Sequence, residues 1–521
     1  MKAAILALSM SAASLSPGEG GVSMREAARG LEAVSPAALS AATRFLSSSL
    51  LDGRETGTRG HEIAALYVAT QMQAIGLEPA AEDGRWEQVV PLRAWRVDPA
   101  GESLTLHGPA QPPLRLVRDV DFIAFSDGEH SEVELDGALA FVGYGISAPE
   151  YGYDDLKGVD LTGKIAVVLW GAPSSDRPNF FPPVPRAVLA DRAAKMARLA
   201  ARGAAGVIFV YTPDAGESRS WEEFVRDARV EGMAWVDGSR MGDAVAGLPA
   251  RVVLSPKGLE KVAVAAGVTG GARAIFEKAE ANRLAAQDWP LKARIGSRAE
   301  LRQLRSANVL GLLRGSDPVL SKETVVVTAH LDDGARDDGA GVAVLLEVAR
   351  ALSALPRRPA RSVLFAATTG EGKGLAGSSY LARHPVVDPD GIVASLDVDG
   401  APNTLPFADA VARGADHSTL GSAARSAADA LGVELSPDPE PRSGAFLRSD
   451  PWSFVRVGVP YLHVVPGSKG VERPGGRWED AARFARFQFL LALAVADGAA
   501  RPAWNPGDFF QQFARKAPSR K

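Results

Sequence analysis

The sequence predicts an α/β fold built on a parallel or mixed sheet. Residues 323–329, ETVVVTA, form a short, valine-rich run that is typical of a strand buried on both faces. Apolar residues at helical spacing follow, from Val342 to Leu352. Two later runs, within 362–369 and 391–398, repeat the pattern of a buried strand that ends in polar residues. Buried strands of this kind suit an α/β sheet with helices against it.

Length and composition narrow the classes of function. At 521 residues the chain exceeds one ordinary domain, and two to four are expected. The 58 basic and 62 acidic residues give a net charge of −4 without a long basic stripe, which argues against a nucleic-acid partner. The chain has no cysteine, so disulfides, thiolate nucleophiles and cysteine-held metals are excluded. Any metal must be held by histidine and carboxylate ligands.

The N-terminus has the pattern of a signal peptide. Lys2 precedes a short apolar run, Ala3 to Met10, and small residues follow it. We therefore predict a signal peptide over residues 1–22 and a secreted or periplasmic protein. No other stretch reaches the roughly 18 apolar residues that a membrane helix needs, so no membrane span is expected.

The remaining chain divides into three segments that differ in their sequence patterns. Residues 23–131 read as helices followed by short strands that are expected to pack on the last segment, 132–290 as a β-rich module, and 291–521 as the segment that holds the buried strands. The charged stretch from Ala274 to Leu304 is interpreted as a helical linker between the last two.

Polar side chains gather where the buried strands end. In open α/β sheets the ligand crevice lies at the carboxyl ends of the strands, so these side chains are placed where chemistry is usually done. The first strand is followed by His330, Asp332, Asp337 and Asp338, the second by Glu371, and the third ends at Asp397 and Asp399; a fourth strand carries His463, with Ser449 and Asp450 before it.

This cluster predicts a metal site. His330, Asp337 and Asp397 make a set of nitrogen and oxygen ligands, and catalytic zinc uses three protein ligands with one position left open. Asp332 is predicted to accept the second imidazole N–H of His330, which fixes a metal-bound histidine. Glu371 is the candidate general base. The alternative is a set of strand-end carboxylates that act as caps and turn formers.

The motifs at these positions resemble a known family. The resemblance rests on His330-Leu331-Asp332, on GARDDGAG at 334–341, on EGKGLAGS at 371–378 and on Leu396-Asp397. Together with LDGRETGTRGHEIAALYVATQMQAIGLEP at 51–79, they look like the zinc exopeptidases related to aminopeptidase Y and glutamate carboxypeptidase. The stretch from FVGYGI to GAAGVIFVY resembles the protease-associated domain that is inserted in many of these enzymes.

The resemblance implies a fold and an activity. The catalytic domain, 291–521, would be an αβα sandwich with a mixed sheet, and 132–290 would be the protease-associated insert. The enzyme would be a secreted, aminopeptidase-like zinc exopeptidase that acts on peptide ends. His330 and Asp397 would bind one zinc, Asp337 would bridge two, and Glu371 would be the base.

The chain departs from the family pattern at two ligands of the second zinc. A second glutamate follows the base in the family, whereas Gly372 stands here, and Glu472 lies near the place of the last histidine. Two interpretations stay open. Either one zinc is retained on His330, Asp337 and Asp397, with Glu371 still driving hydrolysis, or the chain is an inactive homologue that binds peptides or glycans. Glu472 is a weak candidate for a substitute oxygen ligand, which would allow a second zinc, and His463 is a candidate to reach the site; no motif supports either residue.

Overall fold

The computed structural model describes most of the chain as two compact units. The described residues are 22–108, 112–173, 180–213, 219–238, 240–242, 247–332, 339–400, 407–441, 443–467, 469 and 478–514. Unit 1 comprises the described parts of Met1–Val90, Ser306–Pro439 and Arg448–Lys521, and unit 2 comprises those of Pro91–Arg305 and Glu440–Leu447. The predicted ligands Asp337 and Glu472 lie outside the described residues, as does the predicted signal peptide up to residue 21.

Unit 1 is built on a mixed sheet. Four parallel strands form its centre, in the spatial order Ser362–Thr368, Thr324–His330, Ile392–Val398 and Tyr461–Pro466. Antiparallel neighbours extend it on both sides. Residues 309–313 of the strand Gln287–Leu313, with Glu78–Pro79 beyond them, lie on one side, and Asp409–Arg413, followed by Glu434–Ser436, on the other.

Helices cover both faces of this sheet. The α-helices of unit 1 are Met24–Ala33, Pro36–Leu46, Arg59–Ile75, Ala340–Ser353, Ala376–Arg383, Leu420–Leu431, Pro451–Val455 and Trp478–Asp497. Along the strand Thr324–His330, Val325 and Val327 belong to the core that includes Leu345 of Ala340–Ser353. Val326 belongs to a separate core that includes Phe454. Because successive side chains of a strand point to opposite faces, helices pack on both sides, and the predicted α/β class with a mixed sheet is confirmed.

The helix that follows the His330 strand starts very close to the Asp397 strand. It runs from Ala340 to Ser353 and is buried over nearly its whole length. A Cβ added at Gly341 would lie 2.8 Å from the carbonyl oxygen of Val398 and 3.3 Å from the main-chain nitrogen of Gly400. Glycine at this position therefore lets the first turn of the helix approach the main chain on both sides of Asp399.

Unit 2 contains the predicted β-rich module together with neighbouring strands. Gly206–Val210 pairs in parallel with Ile165–Leu169 and Ala250–Leu254. The other strands are Ser103–His107, Leu114–Arg115, Phe122–Phe125, Glu132–Phe141, Ser147–Ala148, Tyr153–Asp154, Gly232–Asp237 and Arg240–Met241, and the helices are Pro183–Ala190, Arg192–Ala200, Trp221–Ala228, Pro256–Ala265 and Gly271–Glu280. The segment 132–290 lies within this unit, and the strands at 103–107 and 122–125 join it by pairing with residues 292–296 and 251–254.

The interpretation of Ala274 to Leu304 as a helical linker is wrong over most of its length. The helix ends at Glu280, and a strand extends from Gln287 to Leu313. Leu291, Ala293 and Ile295 are buried, whereas the basic residues between them are exposed. This alternation has the period of two that a half-buried strand requires, and the abundance of charge obscured it.

One further strand and short helical turns complete the described structure. Glu87–Val97 crosses the boundary between the units, and short 3₁₀ turns lie at Ser49–Arg54, Glu82–Gly84, Pro99–Gly101, Pro149–Tyr151, Leu320–Lys322, Pro389–Gly391, Ala445–Arg448 and Phe509–Phe513. Within the described residues, no helix combines the length and the apolar character that crossing a membrane would require.

Candidate active site

Strand register brings Asp397 and His463 together at the carboxyl edge of the unit 1 sheet. Asp397 lies opposite Thr328 on one neighbouring strand and opposite His463 on the other. Side chains in register on parallel neighbours share a face, so the three form one row. The Thr328 hydroxyl donates a hydrogen bond to Asp397 Oδ1, and Asp397 Oδ2 lies 3.8 Å from His463 Nε2.

Asp399 lies between two imidazoles. Its Oδ1 is 3.7 Å from Nε2 of His330, and its Oδ2 is 3.4 Å from Nε2 of His463. Both rings are largely buried, with 14% of the His330 side chain and 3% of the His463 side chain exposed, whereas 41% of the Asp399 side chain is exposed. The sequence placed Asp399 at this edge without a ligand role and named His463 only as a candidate, without motif support, to reach the metal site.

The Asp332 carboxylate connects two distant parts of unit 1. It accepts a hydrogen bond from the Thr56 hydroxyl at 3.0 Å and one from the main-chain nitrogen of Glu371 at 3.2 Å. His330 Nδ1 lies 3.3 Å from the main-chain oxygen of Asp332. The carboxylate thereby fixes the turn that carries Glu371. Its predicted role as the imidazole acceptor stays a prediction.

Arg54 supports the main chain between His330 and Asp332. Its side chain is 1% exposed, and its Nε donates to the carbonyl oxygen of Leu331 at 2.8 Å, while another guanidinium nitrogen donates to the carbonyl oxygen of Leu46. Asp52, Gly53 and Arg54 all have positive φ, at 46°, 74° and 52°. Two of these three are not glycine, so this backbone is strained, as is common where a loop must hold a functional geometry.

His61, which lies in the motif at 51–79, belongs to a hydrogen-bonded group with Ser306 and Thr369. Its Nδ1 lies 3.3 Å from the Ser306 hydroxyl, which also contacts the Thr369 hydroxyl at 2.7 Å and accepts from the main-chain nitrogen of Gly57 at 3.2 Å. Burial, assisted by the charge of Arg54, lowers the pKa of His61 to about 4, so this imidazole is neutral at physiological pH.

The carboxylates at this edge strongly affect one another. Burial raises the pKa of Asp397 well above its ordinary value, and Asp450 and Asp399 raise it further. Burial and then Asp450 raise the pKa of Glu371 to about 8. Burial opposes ionisation of Asp399, but the contacts with His330 and His463 outweigh it and lower the pKa of that carboxyl. A bound cation would relieve this accumulation of buried acidic groups.

Asp450 adds a further buried carboxyl that the sequence named without a role. It is 2% exposed, it accepts a hydrogen bond from the Thr368 hydroxyl, and burial raises its pKa. Its Oδ1 has no hydrogen-bond partner among the described residues. An orphaned buried oxygen beside other carboxyls again fits a site that receives a cation.

The donor set at this edge therefore suits zinc in its chemistry. His330, Asp397, Asp399 and His463 offer imidazole nitrogen and carboxylate oxygen, which are ordinary zinc ligands. The described ligand atoms at this edge lie close to one another in the pairs given above, and no three of them lie within 4.8 Å of one another. The next position after the candidate base is Gly372, which has no side chain to donate.

Elsewhere in the described chain, one triple of potential ligand atoms lies within 4.8 Å, formed by Asp127, Glu129 and His130 of unit 2. The sequence did not single it out. Asp127 Oδ1 accepts from the main-chain nitrogens of Glu129 at 2.9 Å and His130 at 3.0 Å, and Oδ2 contacts His130 Nδ1 at 2.6 Å. These are the bonds of an aspartate-stabilised turn, which accounts for the cluster without an ion.

Residues 308–489 match the model of peptidase family M28. A probable zinc metalloprotease of Leptosphaeria maculans is 36% identical over 92 residues, which are 15% of this chain and 20% of that protein. Aminopeptidase YwaD of Bacillus subtilis is 36% identical over 84 residues, 15% of this chain and 18% of that protein. The matched stretches thus span only a fifth or less of these two relatives.

The overall chain is similar in fold to a solved aminopeptidase. The aminopeptidase from Aneurinibacillus sp. strain AM-1 has a TM-score of 0.51 at 18% identity, with 92% of this chain and 97% of that chain covered. At that identity the likeness concerns the fold. Taken together, the fold is similar to that of a solved aminopeptidase, and the segment 308–489, which carries His330, Glu371 and Asp397, matches the model of peptidase family M28.

Proposed function

We propose that this chain is a zinc-dependent exopeptidase of the aminopeptidase type. The observation that carries the proposal is the convergence of His330, Asp397 and Glu371 at the carboxyl edge of the parallel strands of unit 1, in a segment that matches peptidase family M28. Buried carboxyls that raise one another's pKa support a cation there.

His330 and Asp397 would hold the zinc ion, and Asp337 would join them as the resemblance of its motif implies. A bound zinc ion supplies Lewis-acid activation of water and polarisation of the substrate carbonyl. One ion on these three residues is sufficient for this proposal.

Glu371 is the proton carrier of the proposed reaction. Its carboxyl is largely buried, and in the metal-free protein its pKa is raised to about 8. This value lies near neutral pH, where a carboxyl can both accept and release a proton. It takes a proton from the attacking water and delivers it to the nitrogen of the leaving amine. Asp332 orients it by holding the main-chain nitrogen of Glu371.

The proposed setting is extracytoplasmic. The lysine, the apolar run and the small residues of 1–22 support a signal peptide and hence a secreted or periplasmic enzyme. The resemblance of 141–211 supports a protease-associated insert within unit 2. A peptide with a free end is the proposed substrate.

Hydrolysis of aminoacyl-p-nitroanilides tests the proposal. Turnover should vanish on removal of the metal with a chelator and return with added zinc. Glu371→Gln should abolish turnover and retain zinc, because the amide keeps the shape of the side chain but cannot accept the proton. Glu62→Gln, on an exposed helical turn of the same unit, is the matched control.

Two results would contradict the proposal. A purified protein without bound metal and without zinc-stimulated turnover would favour the inactive peptide- or glycan-binding homologue. Full activity of Glu371→Gln would remove this residue from the role of base.

A further inference from the structure

His463 is a buried imidazole without an oriented hydrogen bond. Its side chain is 3% exposed. Nδ1 has no hydrogen-bond partner among the described residues, and Nε2 meets Asp399 Oδ2 at an ion-pair distance of 3.4 Å without the geometry of a hydrogen bond. Buried polar groups in folded proteins are nearly always hydrogen-bonded, so such an exception calls for an explanation. An imidazole nitrogen kept free of hydrogen bonds is available to bind a metal.

The neighbours of this imidazole lie at distances that suit shared coordination. Nε2 of His463 is 3.4 Å from Asp399 Oδ2 and 3.8 Å from Asp397 Oδ2. Two ligands of one tetrahedral zinc, at bond lengths of about 2.0–2.2 Å, lie roughly 3.3–3.6 Å from each other. The pair of His463 and Asp399 falls within this range, whereas Asp397 lies slightly beyond it from Nε2 and does not form a triple within 4.8 Å with the other two.

The pairing of the main chains of two strands places Asp397 next to His463. Asp397 is in register with His463, and Val398 is in register with Val464. The close approach of Gly341 to Val398 and Gly400 holds the main chain on either side of Asp399. The other oxygen of Asp399 faces His330, so its two oxygens face two different imidazoles.

The contacts of His463 with Asp399 and Asp397 are longer than those of a directly paired imidazolium and carboxylate. A carboxylate and an imidazolium that pair directly form a short, oriented hydrogen bond, as Asp508 does with His417 at 2.7 Å elsewhere in unit 1. Nothing of this kind links His463 to Asp399 or Asp397. Asp399 is also 41% exposed, which leaves a route for an ion from solvent.

We propose that Asp399 and His463 are metal ligands at this edge and take the place of the two zinc ligands that the chain lacks at Gly372 and near Glu472. This rests on the proposed function, since it concerns the same edge of the sheet. It assigns ligand roles to residues outside the motifs that carry the family resemblance.

Zinc affinity tests the assignment. The full-length protein is stripped of metal and titrated with zinc against a chromophoric chelator, and its cobalt(II) derivative is recorded in the visible range. The variants are His463→Gln and Asp399→Asn. The matched control is His417→Gln, which removes a histidine that pairs with an aspartate away from this edge in the same unit.

Each of the two variants should weaken zinc binding at least 100-fold and change the cobalt(II) absorption band, because a ligand is lost. The control should do neither. The His463→Gln variant changes a buried side chain and so risks a folding defect. Asp399→Asn avoids this risk, because the Asp399 side chain is partly exposed.

Unchanged zinc affinity and an unchanged cobalt(II) band in both variants would overturn the assignment. Weaker zinc affinity with the wild-type cobalt(II) band would also overturn it, because that result indicates that the two residues only position other ligands. Failure of the proposed function is a separate result, in which the wild-type protein itself binds no zinc.

Discussion

The hydrogen bond from Thr56 to Asp332 offers a sharp test of how the candidate base is positioned. Asp332 is 2% exposed and accepts from the Thr56 hydroxyl at 3.0 Å and from the Glu371 main-chain nitrogen at 3.2 Å. Thr56→Val keeps the shape of the side chain and removes the donor. The buried Oδ2 then loses this bond.

The expected size follows from the energy of a hydrogen bond to a charged group, about 1.5–3 kcal/mol. The free energy of unfolding should fall by about this amount. Since about 1.4 kcal/mol corresponds to a factor of ten, kcat should fall by roughly 10- to 150-fold if the whole of it is felt at Glu371 in the transition state. KM and zinc content should stay near the wild-type values, because no substrate or metal contact is removed.

The assay combines kcat and KM on an aminoacyl-p-nitroanilide with urea unfolding and zinc analysis. Thr56→Ser restores the hydroxyl and should rescue kcat. Thr43→Val is the matched control, because Thr43 is buried in the same unit and its hydroxyl has no hydrogen-bond partner among the described residues. Wild-type kcat in Thr56→Val, or an equal loss in Thr43→Val, would refute the reasoning.

Two further predictions concern packing and pH. Gly341→Ala places a Cβ 2.8 Å from the carbonyl oxygen of Val398, so it should lower the free energy of unfolding by about 1–3 kcal/mol in urea; Gly432→Ala, where a Cβ meets open space but φ is +58°, gives for comparison the loss from backbone strain without a clash. In the metal-free protein the folded state holds a proton on Glu371 up to a pKa of about 8, above the ordinary value of 4.5. The unfolded state binds fewer protons between these values, so the free energy of unfolding should fall as pH rises from 5 to 8, by up to about 1.4 kcal/mol per pH unit for this group. Glu371→Gln should remove this component, and a dependence equal to that of the wild type would contradict the assignment.

Local patterns in the sequence were enough to predict the centre of unit 1. The apolar runs before His330, Glu371 and Asp397 are buried strands, and the polar residues that follow them lie at one edge, because parallel strands share their direction. The fold class depended on such local signals and was therefore predictable.

Contacts between distant residues were not predictable from these patterns. Thr56 and Asp332 are separated by 276 positions in sequence, and no periodic pattern in the sequence predicts their hydrogen bond. The pairing of Asp399 with His463 depends on the register between two strands, where a shift of one residue would turn His463 to the other face. The strand Gln287–Leu313 was missed because charged residues on its exposed face masked the alternation.

The position of the bound metal tests the central claim most directly. An anomalous difference map recorded at the zinc edge on crystals of the full-length protein should show a peak at the carboxyl edge of the unit 1 sheet, about 2.0–2.2 Å from His330 Nε2 and from an oxygen of Asp397. Zinc found only at Asp127, Glu129 and His130, with no peak beside His330 and Asp397, would contradict the account.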